Sequence, residues 1–227
     1  MLFFKKKPTF ETSQYFKGFT DYHCHILPGV DDGVRKMEDT LAILSEYEKL
    51  GVQTVWCTPH IMEDIPNTTE KLTRRFAELK DAYKGPIELH LAAEYMLDEV
   101  FDERLANDDF LPLGTGKDMI LVETSYFNPP LKFENTLKQI QSKGYYPVLA
   151  HPERYMYMKD DAYYKHLKQM GIRFQMNLGS IAEAYGNTAK KKAEMLLKNN
   201  YYDFTGTDMH NIDLLYLILS TKRPQLI

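Results

Sequence analysis

The segment TDYHCHILPGVDDG, residues 20–33, places two histidines, a cysteine and two aspartates close together. Side chains alternate between the two faces of a β-strand, so His23 and His25 point to one face and Cys24 to the other. Imidazole nitrogens and a nearby carboxylate such as Asp32 are common ligands of divalent metals. The segment alone leaves three interpretations open: a metal site, a cysteine activated by histidines, or a strand that runs into an acidic turn.

The rest of the chain alternates short β-type runs with helical stretches at intervals of about 30 residues, the size of a βα unit. Predicted strands begin near Phe19, Thr54, Ile87, Met119, Tyr146, Arg173 and Asp203. Predicted helices cover residues 37–50, 68–83, 135–143, 160–170, 188–199 and 212–220. This alternation predicts an α/β fold, most simply a barrel of parallel strands wrapped by helices. An open doubly wound sheet is the alternative, but no GxGxxG follows the first strand.

The chain contains no Gly/Ser linker and no low-complexity block, so residues 19–227 are predicted to form a single domain. Residues 1–18 are interpreted as an N-terminal extension. Its first ten residues, MLFFKKKPTF, are expected to form a loose surface terminus, because a signal peptide would need a longer apolar stretch after its lysines.

Six of the seven predicted strands carry a histidine or a carboxylate at or near their ends. These residues are His23, His25, His60, Glu94, Glu123, His151, Asp208 and His210. The carboxyl ends of parallel strands lie on one rim of a barrel, so side chains far apart in sequence should meet there. A single histidine or carboxylate at a strand end would say little about function. Their presence on six of seven predicted strands is hard to explain by packing alone.

With Asp32 added, nine candidate metal ligands converge. A single ion takes about four to six donors and carboxylates can bridge, so nine donors indicate two or three ions. Imidazoles and carboxylates without a thiolate favour manganese, iron or zinc, and ligand type alone does not choose among these metals.

Neither cysteine is predicted to be a nucleophile. A cysteine-based phosphatase carries an arginine six residues after the cysteine, but Val30 and Glu63 stand six residues after Cys24 and Cys57. Cys24 is therefore interpreted as a small buried apolar residue. His90 and His166 fall outside the strand-end pattern and are expected to be packed or surface residues.

The composition excludes several other classes of protein. The chain has 28 basic and 32 acidic residues and a formal net charge of -4, which gives no signature of nucleic-acid binding. Two distant cysteines without a CxxC motif indicate a reducing compartment. No apolar run reaches the roughly 18 residues of a membrane span, so the expected location is the cytoplasm.

Six motifs, HCH, TPH, AAEY, LVET, AHPERY and GTDMH, resemble in the same order those of the PHP (polymerase and histidinol phosphatase) superfamily. More closely, HCHILPGVDDG together with HPERY is similar to the manganese-dependent protein-tyrosine phosphatases of the CpsB/YwqE type, bacterial enzymes linked to capsule and exopolysaccharide synthesis. The resemblance extends from about Asp21 to about Asn211. HxH alone is a weak signal because amidohydrolases share it, whereas the two longer motifs together are specific.

The resemblance implies a PHP-type distorted (β/α)7 TIM-like barrel that holds three divalent ions, Mn2+ in preference to Fe or Zn. It assigns His23, His25, Glu94 and Asp208 to a first ion, Glu94, Glu123 and His151 to a second, and Asp32, His60 and His210 to a third. Arg154 matches the phosphate-binding arginine and forms the predicted catalytic group with His151 and Asp208. Tyr155, beside Arg154, is expected to line the mouth of the site and seat a phosphotyrosine ring. Asp31 is expected to be a turn residue or a partner of a ligand.

The activity implied by the resemblance is hydrolysis of phosphotyrosine by direct attack of a metal-bridging hydroxide, without a phosphoenzyme. The implied substrate is a phosphotyrosine protein, a membrane-associated bacterial tyrosine autokinase. Nucleic acid is not expected as a partner, and self-association as a homo-oligomer is left open. Two alternatives remain: a small-molecule phosphomonoesterase that acts, for example, on histidinol phosphate, and a metal-bearing kinase-docking module without turnover.

Overall fold

Nine β-strands and eight α-helices make up the part of the chain that the computed structural model describes, residues 7–224. The strands are β1 (Thr20–Cys24), β2 (Thr54–Cys57), β3 (His60–Ile61), β4 (Glu88–Leu91), β5 (Glu94–Met96), β6 (Met119–Glu123), β7 (Tyr146–Ala150), β8 (Arg173–Asn177) and β9 (Phe204–Gly206). The helices are α1 (Met37–Leu50), α2 (Thr69–Ala82), α3 (Glu99–Asn107), α4 (Phe133–Ser142), α5 (Asp161–Gln169), α6 (Leu178–Ile181), α7 (Gly186–Lys198) and α8 (Ile212–Ser220). The predicted α/β fold is therefore confirmed.

The strands pair in parallel throughout the described residues and form two groups, β1-β2-β4 and β3-β5-β6-β7-β8-β9. The first and last strands also meet. Cys24 forms a single parallel bridge with Met209, and the backbone N–H of Asp208 donates to the carbonyl of His23 at 2.7 Å. The result is a curled parallel sheet in which the carboxyl ends of the strands lie near one another. Side chains from distant parts of the chain can therefore meet there.

Two of the predicted strands are interrupted. The run that begins at Thr54 is divided between β2 and β3, and the run that begins at Ile87 is divided between β4 and β5. Both breaks lie at the same level, because His60 of β3 pairs with Glu94 of β5. Pro59, directly before His60, has no N–H to donate to a ladder. The predictions that His60 and Glu94 end strands are therefore wrong, since they begin the short strands β3 and β5.

All six predicted helices are present, and their ends agree with the prediction within two residues. Helix α1 ends at Gly51, which adopts a left-handed φ of 83° and caps the helix as its residue type predicts. Helices α3 and α6 were not predicted, although Asp98 caps α3 by accepting the N–H of Phe101 at 3.0 Å. Within residues 7–224, no helix combines the length and apolar character that a membrane crossing needs.

The described part of the N-terminal segment, residues 7–18, packs onto the fold instead of lying loose on its surface. Phe10 and Phe16 are 0% and 1% exposed and belong to the main core. Thr9 bridges Lys222 in an antiparallel pair just after α8. The expectation of a loose terminus is wrong at Phe10 because its ring is buried in that core, while residues 1–6 lie outside the described part of the chain. The division into an extension and one domain stays a prediction.

Candidate metal centre

All nine predicted ligands come together on the side of the sheet where the strands end. Three sets of donor atoms lie within 4.8 Å of one another: His25, Asp32, His60 and His210; His23, His25 and Glu94; and His60, Glu94 and Glu123. The other two predicted ligands adjoin these sets. His151 Nε2 lies 3.0 Å from Glu94 Oε1, and Asp208 Oδ1 lies 3.2 Å from His25 Nε2. The donors therefore form one continuous cluster.

His23 of strand β1 and His25, directly after the strand, lie on the same face, as the alternation of side chains along a strand predicts. The Nε2 atoms of His23 and His25 lie 3.1 Å apart on one side of the strand. Cys24 between them is fully buried on the other side, where its thiol donates to the carbonyl of Trp56 at 3.3 Å. The interpretation of Cys24 as a packing residue is confirmed.

Three imidazoles direct their Nδ1–H groups away from the cluster. His23 Nδ1 donates to Gln175 Oε1, His25 Nδ1 to Asp31 Oδ2 and His210 Nδ1 to the carbonyl of Asp208, each at 2.8 Å. All three partner atoms can only accept a hydrogen bond, so they favour the tautomer with the proton on Nδ1. The Nε2 lone pair of each ring then faces the cluster, which is the arrangement that metal-binding histidines show.

Glu94 lies at the centre of the donors. Its Oε2 is 3.1 Å from His60 Nδ1, 3.2 Å from His23 Nε2 and 3.3 Å from His25 Nε2. Yet Glu94 Oε2, His60 Nδ1 and His151 Nδ1 are buried without a well-formed hydrogen bond to any described residue. Ligand atoms bound at about 2.1 Å and at right angles lie about 3 Å apart, so this spacing suits cations. The residues present fit divalent metal ions.

The electrostatics of the cluster support the same conclusion. Burial opposes the charge of Glu94, but the surrounding histidines outweigh it and hold its pKa well below the ordinary value. Burial likewise lowers the pKa of His60, but neighbouring carboxylates, Glu94 first, outweigh it and raise the pKa to about 10. A hydrogen bond with His210 lowers the pKa of Asp32 to about 2. The lowered pKa values keep Glu94 and Asp32 ionised, and this fixed negative charge attracts divalent cations, which compete with protons for the imidazole lone pairs.

Asp208 uses its two carboxylate oxygens on opposite sides. Oδ1 faces the Nε2 atoms of His23 and His25 at 3.4 and 3.2 Å. Oδ2 accepts hydrogen bonds from Arg154 Nη1 at 2.8 Å and from Asn177 Nδ2 at 2.7 Å. Arg154 therefore orients a predicted ligand, a contact that sequence reasoning did not foresee.

The guanidinium of Arg154 is held between two aromatic rings. Its central carbon lies 4.5 Å from the ring centroid of Tyr126 and 4.0 Å from that of Tyr185. Apart from the bond from Nη1, its N–H groups donate to no acceptor within residues 7–224. The two rings and Arg154 line a cavity of about 300 Å³ that the ligands Asp32, His60, Glu94, His151, Asp208 and His210 also line. The cavity is thus lined by six of the proposed metal ligands, the guanidinium of Arg154 and two aromatic rings.

Tyr155 does not line this cavity. It is 0% exposed, and its ring packs against Tyr126 and Tyr157 in the core. The 3-10 turn Pro152–Arg154 ends at Arg154, whose side chain lines the cavity, whereas the next residue, Tyr155, is buried in the protein. The prediction that Tyr155 seats a substrate ring at the mouth is therefore wrong, and Tyr126 and Tyr185 occupy that position instead.

Two of the predicted ligands have a backbone conformation that is rare for their residue types. His151 has a φ of 33° and Asp208 a φ of 54°, both in the left-handed region. Each such residue costs about 1–3 kcal/mol and persists only where its surroundings enforce it. Both residues lie just beyond the end of a strand and turn their side chains toward the cluster.

Sequence reasoning missed the contribution of β8, the one strand for which it named no ligand. Gln175 of this strand holds His23, and Asn177 holds Asp208, while Glu153 fixes Asn177 by accepting its backbone N–H at 3.0 Å. The available signal was the pair of amide side chains two residues apart, next to the apolar Phe174 and Met176, since this spacing puts both amides on one face.

The residues placed outside the site do lie outside it. His90 stacks on Trp56 with the ring centroids 4.4 Å apart, and the side chain of His166 is 50% exposed. Asp31 is the partner of His25, and its Oδ1 also accepts the N–H of Gly33 at 3.0 Å. Asp31 is therefore both a turn residue and a partner of a ligand.

The replacement Asp31→Asn is expected to weaken the binding of Mn2+ by about 10- to 100-fold, because it removes the carboxylate that orients His25. Isothermal titration of metal-stripped protein measures this change. Asp81→Asn, an exposed substitution on α2, is the matched control and should leave the affinity unchanged. Equal Mn2+ affinities for the Asp31 variant and the wild type would show that this contact does not support the metal centre.

Comparison with known proteins gives a consistent result. Residues 19–214 match the family described as capsular polysaccharide synthesis, CpsB/CapC. The chain is 30% identical over 197 residues to the tyrosine-protein phosphatase YwqE of Bacillus subtilis (strain 168), covering 85% of this chain and 77% of that protein. It is 28% identical over 205 residues to the tyrosine-protein phosphatase CpsB of Streptococcus pneumoniae, covering 85% and 83%.

A solved structure is also similar. It comes from work described as crystal structures of YwqE from Bacillus subtilis and CpsB from Streptococcus pneumoniae, unique metal-dependent tyrosine phosphatases. The TM-score is 0.78 at 26% sequence identity, and the match covers 92% of this chain and 89% of the other.

Proposed function

The chain belongs to the CpsB/CapC family of capsular polysaccharide synthesis, and we propose from this membership that it is a metal-dependent protein-tyrosine phosphatase. The observation that carries the proposal is the cavity in which six of the nine donors meet Arg154, while the other three donors belong to the same cluster. A buried, carboxylate-rich donor cluster beside a guanidinium suits the hydrolysis of a phosphate monoester, a reaction that depends mainly on positioning and charge stabilisation.

Three divalent ions are proposed as cofactors, Mn2+ in preference to Fe or Zn. We assign the first to His23, His25, Glu94 and Asp208, the second to Glu94, Glu123 and His151, and the third to Asp32, His60 and His210. The proximity of these donors supports the assignment, although His60 Nδ1 also lies 3.2 Å from Glu123 Oε1, between the second and third sets. When bound, such ions neutralise phosphoryl charge and lower the pKa of a bound water toward ~7.

Arg154 is proposed to bind the phosphoryl group of the substrate. Only one of its N–H groups is engaged by Asp208, so the remaining donors can form the paired hydrogen bonds that a guanidinium makes to phosphate. Asn177 keeps Asp208 Oδ2 occupied when the guanidinium shifts toward a substrate. Tyr126 and Tyr185 line the same cavity, and the edges of their rings, which the guanidinium does not cover, can contact the phenyl ring of phosphotyrosine.

The finer assignments are also proposals. We propose that the curled sheet is a PHP-type distorted (β/α)7 barrel, which the strand order and the contact between β1 and β9 support. The proposed partner is a bacterial tyrosine kinase of capsule or exopolysaccharide synthesis, in keeping with the description of the family. We propose a cytoplasmic location, to which two free, buried cysteines are suited.

The test of this function is a comparison of kcat/KM for a phosphotyrosine peptide and for histidinol phosphate, measured on the same Mn2+-loaded protein. We expect the peptide to be preferred by about 10²-fold or more, because a site discriminates strongly when its binding groups match one substrate. A preference for histidinol phosphate would support the small-molecule alternative. Binding of the peptide without turnover of any phosphomonoester would support the docking module.

A further inference from the structure

The cavity of the metal centre adjoins a groove beside the start of α1. This groove, here called the α1 groove, has a volume of about 370 Å³ and lies between the segment that follows β1 and the first turn of α8. Asp32, His210 and Asn211 line both the groove and the cavity, so the two depressions are direct neighbours. A peptide whose phosphotyrosine is seated at the metal centre therefore has only these three residues to pass before it reaches the groove.

The floor of the groove is apolar. Val34 and Ile43 are 4% and 1% exposed and form its base, and the exposed Ala42 and the partly exposed Ile212 flank them. Apolar surface at the bottom of a depression favours contact with an aliphatic or aromatic side chain over contact with water.

Two basic residues line the groove. Arg35 and Lys36 are exposed there, and neither has a carboxylate within 4.0 Å among residues 7–224. Lys36 is also the N-cap of α1, where the positive end of the helix dipole adds to the charge of its side chain and the first-turn residues Glu38 and Asp39 reduce it. Asp39 lies in the same groove and offsets one of the two charges, while Asp32 is already paired with His60 and His210.

We propose that the α1 groove binds the polypeptide that adjoins the phosphotyrosine of the substrate and selects an acidic side chain near it. This inference rests on the proposed function, because the phosphotyrosine must occupy the metal centre. Arg35 follows the ligand Asp32 by three residues, so their Cα atoms lie at most about 11 Å apart. The preferred acidic residue therefore lies within about three positions of the phosphotyrosine, and a neighbouring apolar residue lies over the floor.

The test compares two phosphotyrosine peptides that differ only in whether glutamate or lysine occupies the flanking positions. The value of kcat/KM for each is divided by that for p-nitrophenyl phosphate, which is too small to reach the groove. The wild type should prefer the acidic peptide by about tenfold at low salt, and the preference should shrink as salt screens the charges. The double variant Arg35→Glu, Lys36→Glu should lose or reverse the preference.

The control is Lys49→Glu in the last turn of α1, which reverses a lysine charge outside the groove, where the side chain is 66% exposed. It should keep the preference of the wild type. Equal use of the two peptides by the wild type, or an unchanged preference in the double variant, would overturn the proposal. A reversed preference cannot arise from misfolding, because the variant must then use the basic peptide better.

One set of results would contradict peptide binding in the α1 groove, and a different set would contradict the proposed phosphatase function. Absence of turnover of p-nitrophenyl phosphate and both peptides by Mn2+-loaded wild type would contradict the phosphatase activity. The same two peptides, carrying a fluorophore, are therefore also compared by fluorescence anisotropy. Tighter binding of the acidic peptide by the wild type, reversed in the double variant, supports the groove with or without turnover, and equal binding overturns it.

Discussion

The variant Glu94→Gln is expected to lose at least about 10³-fold in kcat/KM toward a phosphotyrosine peptide. Glu94 places one oxygen among three imidazoles and the other 3.0 Å from His151, so its carboxylate contacts four of the proposed ligands. The amide keeps the shape of the side chain but removes the charge that attracts cations. Losing several kcal/mol of charge stabilisation corresponds to a factor of this size. Steady-state kinetics with excess Mn2+ measure it.

Glu88→Gln provides the matched control for this variant. Glu88 begins β4, six residues before Glu94, and its side chain is 69% exposed. The same change of carboxylate to amide should leave kcat/KM within twofold of the wild type there, as expected for an exposed substitution. A Glu94 variant that binds metal normally and retains more than a tenth of the activity would contradict the central position given to this carboxylate.

The variant Arg154→Ala is expected to lower kcat/KM by about 10²- to 10³-fold, the loss seen when one aimed donor is removed from a developing anion. Arg154→Lys should recover part of the loss, because it keeps the charge but not the paired N–H groups. Arg74→Ala, an exposed change on α2, should have no effect.

Arg154 also donates to Asp208, so the same variants separate its two roles. If Arg154 acts on the substrate, Arg154→Ala keeps most of its affinity for Mn2+ and loses turnover. If it acts only by orienting Asp208, metal affinity falls in parallel with activity. Turnover that remains within threefold of the wild type would contradict both roles.

The metal cluster was predictable from the sequence because parallel strands end on one side of a sheet. His23, His151 and Asp208 are more than fifty residues apart in sequence, yet each lies at or just beyond a strand end, and topology alone brings them together. Glycines at helix ends likewise predicted where helices stop, and the alternation of side chains along β1 predicted that Cys24 is buried on the opposite face from His23. Each of these inferences relies on a local rule that tertiary packing did not override.

Other features depended on contacts that a sequence pattern does not contain. The break at Pro59 was visible as a residue type, but only the sheet shows that the neighbouring strand breaks at the same level and puts Glu94 beside His60. The burial of Tyr155 depends on a 3-10 turn after His151, whose left-handed φ of 33° is unusual for histidine. The stacking of Arg154 between Tyr126 and Tyr185 joins segments separated by almost sixty residues.

The most direct test of the central claim follows metal content and turnover in one titration. The protein is stripped with a chelator, Mn2+ is added back in steps, and bound Mn2+ and hydrolysis of a phosphotyrosine peptide are measured at each step. We predict no turnover without metal and a recovery that rises with bound Mn2+ up to three ions per chain. Full turnover in excess chelator, with no metal bound, would contradict the assignment of His23, Glu94 and their neighbours as a catalytic metal centre.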